Sequence, residues 1–588
     1  MTLFHDSADL RPIARLLIAN RGEIALRVIR ACRDMGIETI AVYADPDRDA
    51  PFVRLADHAF ALGGNRPGDT YLNQGKILDI AARAKADAIH PGYGFLSENA
   101  GFARAVQAAG MIWVGPDAGV IDALGDKIRA REIAQAVGAP LVAGSPGPVE
   151  TSADALAFAR EHGLPIAIKA AFGGGGRGMK VAWDLDEVED LFDSAVREAV
   201  TAFGRGECFI EQFLDRPRHI EAQVLGDHYG TVKVLGTRDC SLQRRNQKLV
   251  EEAPAPFLTD DQRDRIHSSA RAICEYAGYS GAGTVEFLLS ANGTISFLEV
   301  NTRLQVEHPV TEETTGIDLV TAMIRVSQGA KIADDSVPTP RGHSIEFRIN
   351  AEDTGRGFLP TPGPIDLWQP PAGPGIRMDS GVEQGGQVAG SFDSMMAKLI
   401  VTGADREQAL ARAARALDEF RIEGVASVLP FHRAVLATPE FRAEKGDFGV
   451  HCRWIETDFA ERLMAAVAPE PRVTPVTETP MLRLAIEIDG KRHDLALPQG
   501  ILSAAPVTGP DTTTVEVDPG TVTAPVSGIL SLWQVEDGDQ VVEGQVIAMI
   551  EAMKMETRIE APCAGRLTQL AAQGETLAHG GPVAKICL

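Results

Sequence analysis

GTVEFLLSANGTISFLEVNTRLQVEHP, residues 283–309, is the stretch from which the fold is read. Two apolar runs flank Ser290-Ala-Asn-Gly293, and Asn292-Gly293 is a strong two-residue hairpin turn. Such a turn pairs Ala291 with Thr294, and counting outward along both strands pairs Glu286 with Glu299. Like charges directly opposite each other repel. A divalent cation removes that penalty, and Mg²⁺ takes one or two carboxylates together with substrate phosphates. The alternative, both glutamates in solvent, sits poorly with Phe287, Leu288 and Phe297 beside them. If the chain stays extended beyond residue 299, period two puts Glu299, Asn301, Arg303, Gln305 and Glu307 on one face. A carboxylate pair, an amide, a guanidinium and a terminal carboxylate could hold an anionic substrate and deprotonate it. Val300, Leu304 and Val306 supply the apolar side.

Upstream, AFGGGGRGM at 171–179 follows a strand that carries Lys169. Without Cβ atoms, backbone N–H groups wrap closely around phosphate oxygens. The run contains a GxGxxG match, but a strand pattern follows it where a dinucleotide fingerprint must open a helix. With Lys169 before it and Arg177 within it, the loop reads as a nucleotide-phosphate lid; the alternative is a surface hairpin. A second cluster, RDCSLQRRNQK at 238–248, places Arg238, Arg244, Arg245 and Lys248 close together and reads as an anion site. A solvated strand edge is the alternative.

Further out, short strands at Arg15–Ala19, Ile37–Tyr43, Ala88–His90 and Met111–Val114 alternate with helical patterns at Glu23–Met35, Tyr71–Ala84 and Asn99–Ala109. That alternation predicts a mostly parallel α/β layer to about residue 120. His219–Asn301 is strand-rich, with a helix near Gln262–Tyr276, and Asp405–Glu419 is an Ala-rich helix. Pro469–Pro480 and residues 506–520 read as linkers around a possible β pair at Leu482–Leu497. The last residues contain a repeat: Ala524-Pro-Val-Ser-Gly528 recurs as Ala561-Pro-Cys-Ala-Gly565, and Gly538 and Gly544 recur as Gly574 and Gly580. Two copies of one β motif predict a small sandwich of two similar halves. Lys554, flanked by methionines in EAMKM, lies between the halves and reads as a modification target or an ordinary turn lysine.

Composition narrows the classes. The 588 residues are 45% hydrophobic and 23% charged, an ordinary globular profile. A net charge of −24 argues against a general nucleic-acid binder, though not against local phosphate sites. Seven scattered cysteines without a CxxC argue against a zinc site or a disulfide framework. No apolar run is long enough for a membrane span, and Met1–Leu10, with Asp6 and Asp9, does not read as a signal peptide. The expectation is a cytoplasmic protein with neither a nucleic-acid nor a membrane partner.

Six motifs, taken together and in order, resemble one family. They are IANRGEI (18–24), HPGYGFLSEN (90–99), GGGGRGM (173–179), GAGTVEF (281–287), EVNTRLQVEHP (299–309) and EAMKM (551–555). Residues 15 to about 455 resemble the biotin carboxylase component of biotin-dependent carboxylases, an ATP-grasp enzyme, and those from about 520 resemble the biotinyl carrier domain. The chain as a whole is similar to the alpha subunits of bacterial acyl-CoA carboxylases. The resemblance implies an α/β and α+β architecture. An N-terminal α/β domain would span 1–128, an ATP-grasp domain 129–340 with its lid at about 140–212, and a C-terminal carboxylase domain 341–458. A linker would span 459–519 and an all-β biotinyl/lipoyl-like sandwich 520–588.

The resemblance also implies roles. Lys127, Lys169, Gly174, Gly175, Gly176, Glu211, His219 and Gln243 would bind ATP, and Glu286 and Glu299, with Asn301 beside them, would hold Mg²⁺ or Mn²⁺. Arg303, Gln305 and Val306 would form the bicarbonate pocket, with Glu307 as general base. Arg348 would hold phosphate and the biotin enolate, Lys248 would steady the transferred phosphoryl group, and Lys554 would carry biotin covalently. Asn246 departs from the His of a well-known form of the family. The implied activity is ATP- and bicarbonate-dependent carboxylation of protein-linked biotin through carboxyphosphate. Only about 65 residues separate the carboxylase region from the carrier, too few for a carboxyltransferase. Carboxybiotin would therefore pass to a separate carboxyltransferase beta subunit for acyl-CoA carboxylation. Biotin protein ligase is a further implied partner, as is a hetero-oligomer with dimeric carboxylase contacts. An ATP-grasp ligase with another acceptor would have no use for Lys554; a scaffold with a degenerate ATP site would not keep Glu286, Glu299, Glu307 and Arg348; a lipoyl carrier stays open on residue types.

Overall fold

The structure, a computed structural model, describes residues 3–5, 10–170, 179–203, 206–444, 446, 448–466, 481–488, 491–498, 520–526, 528–552, 555–577 and 580–587. Two compact units emerge: residues 1–352 with 360–463, and residues 353–359 with 464–588.

The first unit opens with a parallel sheet. Its strands are β1 (Arg15–Ile18), β2 (Glu38–Tyr43), β3 (His58–Ala61), β4 (Ala88–His90) and β5 (Ile112–Trp113), in the order β3-β2-β1-β4-β5. Leu16 and Ile18 face one apolar core and Leu17 the other, as expected of a strand covered on both faces. The helix Gly22–Asp34 lays Ile24, Ala25, Val28, Ile29 and Cys32 on the first core. The alternation expected from the sequence is present, with boundaries shifted by a few residues.

A small antiparallel sheet follows, β7-β6-β8, from β6 (Ile166–Ala170), β7 (Met179–Ala182) and β8 (Cys208–Gln212). Helices Ser152–His162 and Val188–Phe203 pack with it around Ala155, Ile168, Phe192 and Ile210. Neither helix was expected. The glycine run between β6 and β7, with Gly174, Gly175 and Gly176, lies outside the described residues.

The scaffold of the unit is an eight-stranded sheet. Its strands include β9 (Arg218–Gly226), β10 (Val232–Arg244), β11 (Gln247–Ala253), β12 (Gly281–Leu289), β13 (Ile295–Asn301) and β14 (His343–Asn350). The order is β13-β12-β9-β10-β11-β14, then Met395–Gly403 and Ile376–Ser380. All its pairings are antiparallel. One lateral row runs Glu299–Glu286–Glu221–Arg238 across β13, β12, β9 and β10.

Two expectations on the β12–β13 hairpin are corrected. The loop is not a two-residue turn. Near it, Leu289 pairs with Ile295 and the Ser290 N–H donates to the Thr294 carbonyl at 2.9 Å, leaving Ala291-Asn-Gly293 as the loop, with Gly293 at φ +85°. That is a three-residue loop closing on a left-handed glycine. A bulge at Leu298 then shifts the register by one and restores Glu286 opposite Glu299. The pairing is as expected, but two irregularities cancel to produce it. Second, the strand does not run on to residue 309. It ends at Asn301, and a helix, His308–Thr315, begins with Pro309 in its first turn.

The described residues of the second unit include a hairpin, Met481–Ile488 with Lys491–Pro498, and two four-stranded sheets. The expected repeat has a physical basis. Gly528 and Gly565 open equivalent strands, and a Cβ on either would lie 2.4 Å from a carbonyl oxygen, of Glu551 and Cys587 respectively. Gly538 and Gly574 have φ +92° and +86°, and Gly544 and Gly580 +79° and +78°. Strands Val546–Ala552 and Met555–Glu560 pair up to Ala552 with Met555; Lys554 lies outside the described residues. All seven cysteines are free, and among the described residues no helix is long and apolar enough to cross a membrane.

Candidate active site

The lateral row concentrates charge that the sheet alone would not tolerate. Glu299, Glu286 and Glu221 are consecutive cross-strand neighbours, and Glu221 is fully buried. Lys248, from β11, answers them. Its ammonium donates to Glu286 Oε1 at 2.9 Å, to Glu307 Oε1 at 2.8 Å and to Glu221. Burial opposes the charge on Lys248, but the three carboxylates win and its pKa rises well above the ordinary value. Arg238 closes the row from the other side. Its Nε and Nη2 lie 3.1 and 2.9 Å from Glu221 Oε2, and its Nη1 donates to Gln223 and Thr311.

Within the basic cluster at 238–248, Arg238 is withdrawn from any anion site. Arg238 is fully buried and committed to Glu221, and the Arg245 N–H donates to Glu456 at 2.8 Å. Of the four, Lys248 faces the carboxylates that meet the reaction face. Arg245 and Asn246 both take left-handed φ, 49° and 64°, in the tight turn between Arg244 and Gln247. Asn tolerates that region better than most side chains, which suits its presence at the departing position.

Glu307 stands at the N-cap position of the helix at 308–315, without a side-chain capping bond, and is fully buried. One oxygen takes Lys248; the other accepts from Arg348 Nη2 at 3.0 Å. Burial raises its pKa, yet Lys248 and Arg348 bring it below the ordinary range, so Glu307 is ionised. Arg348, on β14, also donates through Nε to Glu251 at 2.6 Å.

Arg303 lies past the end of β13. It donates to Asn301 Oδ1 at 2.9 Å, to Gln305 Oε1 at 2.8 Å and to Glu98 Oε2 at 2.8 Å. The Asn301 and Gln305 amides in turn donate to Glu286 Oε1 at 2.8 and 3.2 Å, and His219 Nε2 lies 2.9 Å from Glu286 Oε2. Burial works against charge on both, but His219 is pushed up by Glu286, and Glu286 well down by Lys248 and His219. The Val306 carbonyl accepts from Lys398 Nζ at 2.7 Å. Extended geometry does not align these residues, since the strand has ended; the turn at 302–307 folds them back onto the same carboxylates.

The expected nucleotide residues are spread wider. Lys169 pairs with Glu211 across the small sheet, and Lys127, at the start of helix Lys127–Ala136, lies 3.5 Å from Glu299. Gln243 is buried opposite Lys248 in the β10–β11 register. Glu286, Glu299 and Asn301 offer carboxylate and amide oxygens, hard donors that suit Mg²⁺ or Mn²⁺. His219 and Glu221 offer ligand atoms within 4.8 Å of those of Glu286. Glu98, Glu251, Glu346 and Lys398 were not foreseen. A lone lysine inside the apolar strand MMAKLIVTG (395–403) was the available signal for Lys398.

Comparison with known proteins agrees along nearly the whole chain. Residues 12–121 match the family "Biotin carboxylase, N-terminal domain", 126–334 "Carbamoyl-phosphate synthase L chain, ATP binding domain", 346–457 "Biotin carboxylase C-terminal domain" and 518–586 "Biotin-requiring enzyme". The chain is 54% identical to the biotin-dependent acyl-coenzyme A carboxylase alpha3 subunit of Mycobacterium leprae, over 97% of this chain and 98% of that one. The crystal structure of a Campylobacter jejuni biotin carboxylase in a βγ-ATP complex is similar with TM-score 0.69 and 42% identity, over 76% of this chain and 99% of that one. The biotin carboxylase domain dimer of Hydrogenobacter thermophilus 2-oxoglutarate carboxylase, solved with MgADP, ADP and bicarbonate, is similar with TM-score 0.69 and 43% identity, over 77% of this chain and 98% of that one.

Proposed function

The chain belongs to the biotin-dependent acyl-CoA carboxylase alpha subunits, biotin carboxylases of the ATP-grasp type, and from that membership we propose that it carboxylates its own Lys554-linked biotin and hands the carboxyl group to a separate carboxyltransferase subunit acting on an acyl-CoA. Biotin, ATP and Mg²⁺ are its cofactors. The observation that carries the reading is Glu307, a buried carboxylate held between Lys248 and Arg348 beside the Arg303–Gln305 turn.

In the proposed reaction, Arg303, Gln305 and Val306 hold bicarbonate, and Glu307 takes its proton. The bicarbonate oxygen then attacks the γ-phosphorus of ATP, and the bond to the β–γ bridging oxygen breaks, giving ADP and carboxyphosphate. Glu307 is a weak base while two cations hold it. An anion that draws Lys248 and Arg348 toward itself raises the basicity of Glu307 when the proton must move. Carboxyphosphate then breaks to CO₂ and phosphate. Lys248 steadies the transferred phosphoryl group, Arg348 would hold that phosphate as it takes the proton leaving the biotin nitrogen, and Glu286, Glu299 and Asn301 would hold the metal. When bound, Mg²⁺ supplies charge neutralisation at the phosphates, and biotin supplies the nitrogen that receives the carboxyl group. Tethering the carrier to the carboxylase keeps its effective concentration high.

A separate carboxyltransferase is supported by similarity to an alpha subunit over nearly its full length. Biotin protein ligase would attach the biotin. The test supplies labelled bicarbonate, ATP and a panel of acyl-CoAs, with and without a co-expressed beta subunit. Label should reach protein-bound biotin in both cases and acyl-CoA with the partner alone. Labelled acyl-CoA made by this chain by itself would overturn the two-subunit reading.

A further inference from the structure

We propose that Glu346 and Glu251 form a buried carboxylate pair sharing one proton, carried by Glu346, and that this keeps Glu251 ionised as the strut that positions Arg348. The β11–β14 register sets Glu251 directly opposite Glu346, and both are fully buried. Two ionised carboxylates in that relation repel strongly without solvent.

Their surroundings differ. Glu251 Oε1 receives Arg348 Nε at 2.6 Å and Nη2 at 2.5 Å. Neither oxygen of Glu346 has a hydrogen-bond partner. A buried carboxylate without a hydrogen bond does not sustain its charge; the protonated acid does.

The charged groups facing Glu346 are Glu251 on the neighbouring strand β11, Arg348 two residues on along its own strand β14, Glu307 just before the helix at 308–315, and Lys398 on Met395–Gly403. Lys398 is spoken for: it donates to the Val306 carbonyl at 2.7 Å and lies 3.3 Å from Glu23. His308, on the same helix, is buried and kept neutral by burial and by Lys398 and Arg27. Burial pushes Glu346 well above the ordinary carboxylate range and Glu251 less far, up to about 7, because Arg348 pulls it back. Glu251 is therefore the first of the pair to ionise, and the one-proton state is complete only above neutral pH.

Function follows from the second contact of Arg348, its Nη2 on Glu307. With Glu251 ionised, the guanidinium is fixed by the Nε hydrogen bond and the Nη2 ion pair, and Nη2 also reaches the proposed base. With Glu251 neutral, that anchor weakens and Arg348 is free to turn. Glu251 is a positioning residue, and Glu346 sets its charge. The proposal rests on the active-site reading of Arg348, but its proton readouts do not depend on that reading and fail separately from it.

The test is E346Q, isosteric with the protonated acid. A carboxyl whose pKa is raised in the folded state keeps a proton that the unfolded chain releases, so it withdraws stability as pH rises above the ordinary range. E346Q removes that penalty: its Tm should match wild type near about pH 5 and exceed it by a growing margin toward about pH 8. The infrared band of protonated carboxyls in the wild-type protein at about pH 8 should lose one component in E346Q and keep that component in E251Q. E251Q should lose kcat for biotin carboxylation at unchanged KM for MgATP, and E251D should restore part of it. A Tm difference between E346Q and wild type that does not change with pH, or a missing wild-type band, would overturn the proposal. If E346Q does not fold at all, that also counts against it, and the band in wild-type protein carrying ¹³C-labelled glutamate still decides.

Discussion

Glu307 is the residue on which the proposed chemistry turns. Glu307→Gln should still bind MgATP, since the nucleotide residues are untouched, but lose about 10²–10⁴-fold in bicarbonate-dependent ATP cleavage, the usual worth of a general base. Initial ADP release with and without bicarbonate measures it; an unaltered bicarbonate-dependent rate would place the base elsewhere. Glu286 and Glu299 are expected to behave differently, although they face each other. Glu299 is partly exposed and its ion-pair partner is the exposed Lys127. Glu286 is buried and serves Lys248, Asn301, Gln305 and His219. Glu299→Gln should weaken Mn²⁺ binding and leave Tm nearly unchanged. Glu286→Gln should weaken Mn²⁺ binding and also destabilise the fold by about 1–3 kcal/mol, the range for stranding buried partners. Equal Tm values would refute this asymmetry. The hairpin's own sequence shows a like-charge pair and leaves the partners of Glu286 out of sight. Lys248 arrives from β11, and nothing in the hairpin's own sequence announces it.

At the scale of elements, what was legible was what is local. Strand–helix alternation, the NG hairpin and the repeated A-P-x-x-G motif are each written within a short window. The bulge at Leu298 was not legible, because a bulge answers to the partner strand. The end of β13 was missed although Pro309 signals a helix start, because polar residues at alternate positions mimic a strand face when the chain in fact turns. Glu251 and Glu346 escaped for another reason: their significance lies in opposing each other across two strands nearly a hundred residues apart in sequence. In the carrier the repeat has a sharper consequence. A side chain on Gly528 or Gly565 meets backbone oxygen at 2.4 Å, which no rotamer relieves. Gly528→Ala and Gly565→Ala should each abolish or sharply reduce biotin incorporation, read on a streptavidin blot, with ATP-dependent carboxylation of free biotin unchanged. Full biotinylation of both variants would show that the carrier tolerates the clash.

At the scale of the whole molecule, chemistry and cargo are divided between two compact units of one chain. The residues proposed to bind ATP and bicarbonate and to move the proton all lie in the first, and Lys554, the proposed biotin carrier, belongs to the span of the second. That division makes the account separable by a single change. The decisive measurement gives labelled bicarbonate and MgATP to wild type and to Lys554→Ala, each with and without free biotin. Wild type should place label on its own polypeptide. Lys554→Ala should place none on protein yet label free biotin at the wild-type rate. Label retained on the Lys554→Ala polypeptide, or loss of activity toward free biotin in that variant, would contradict the account.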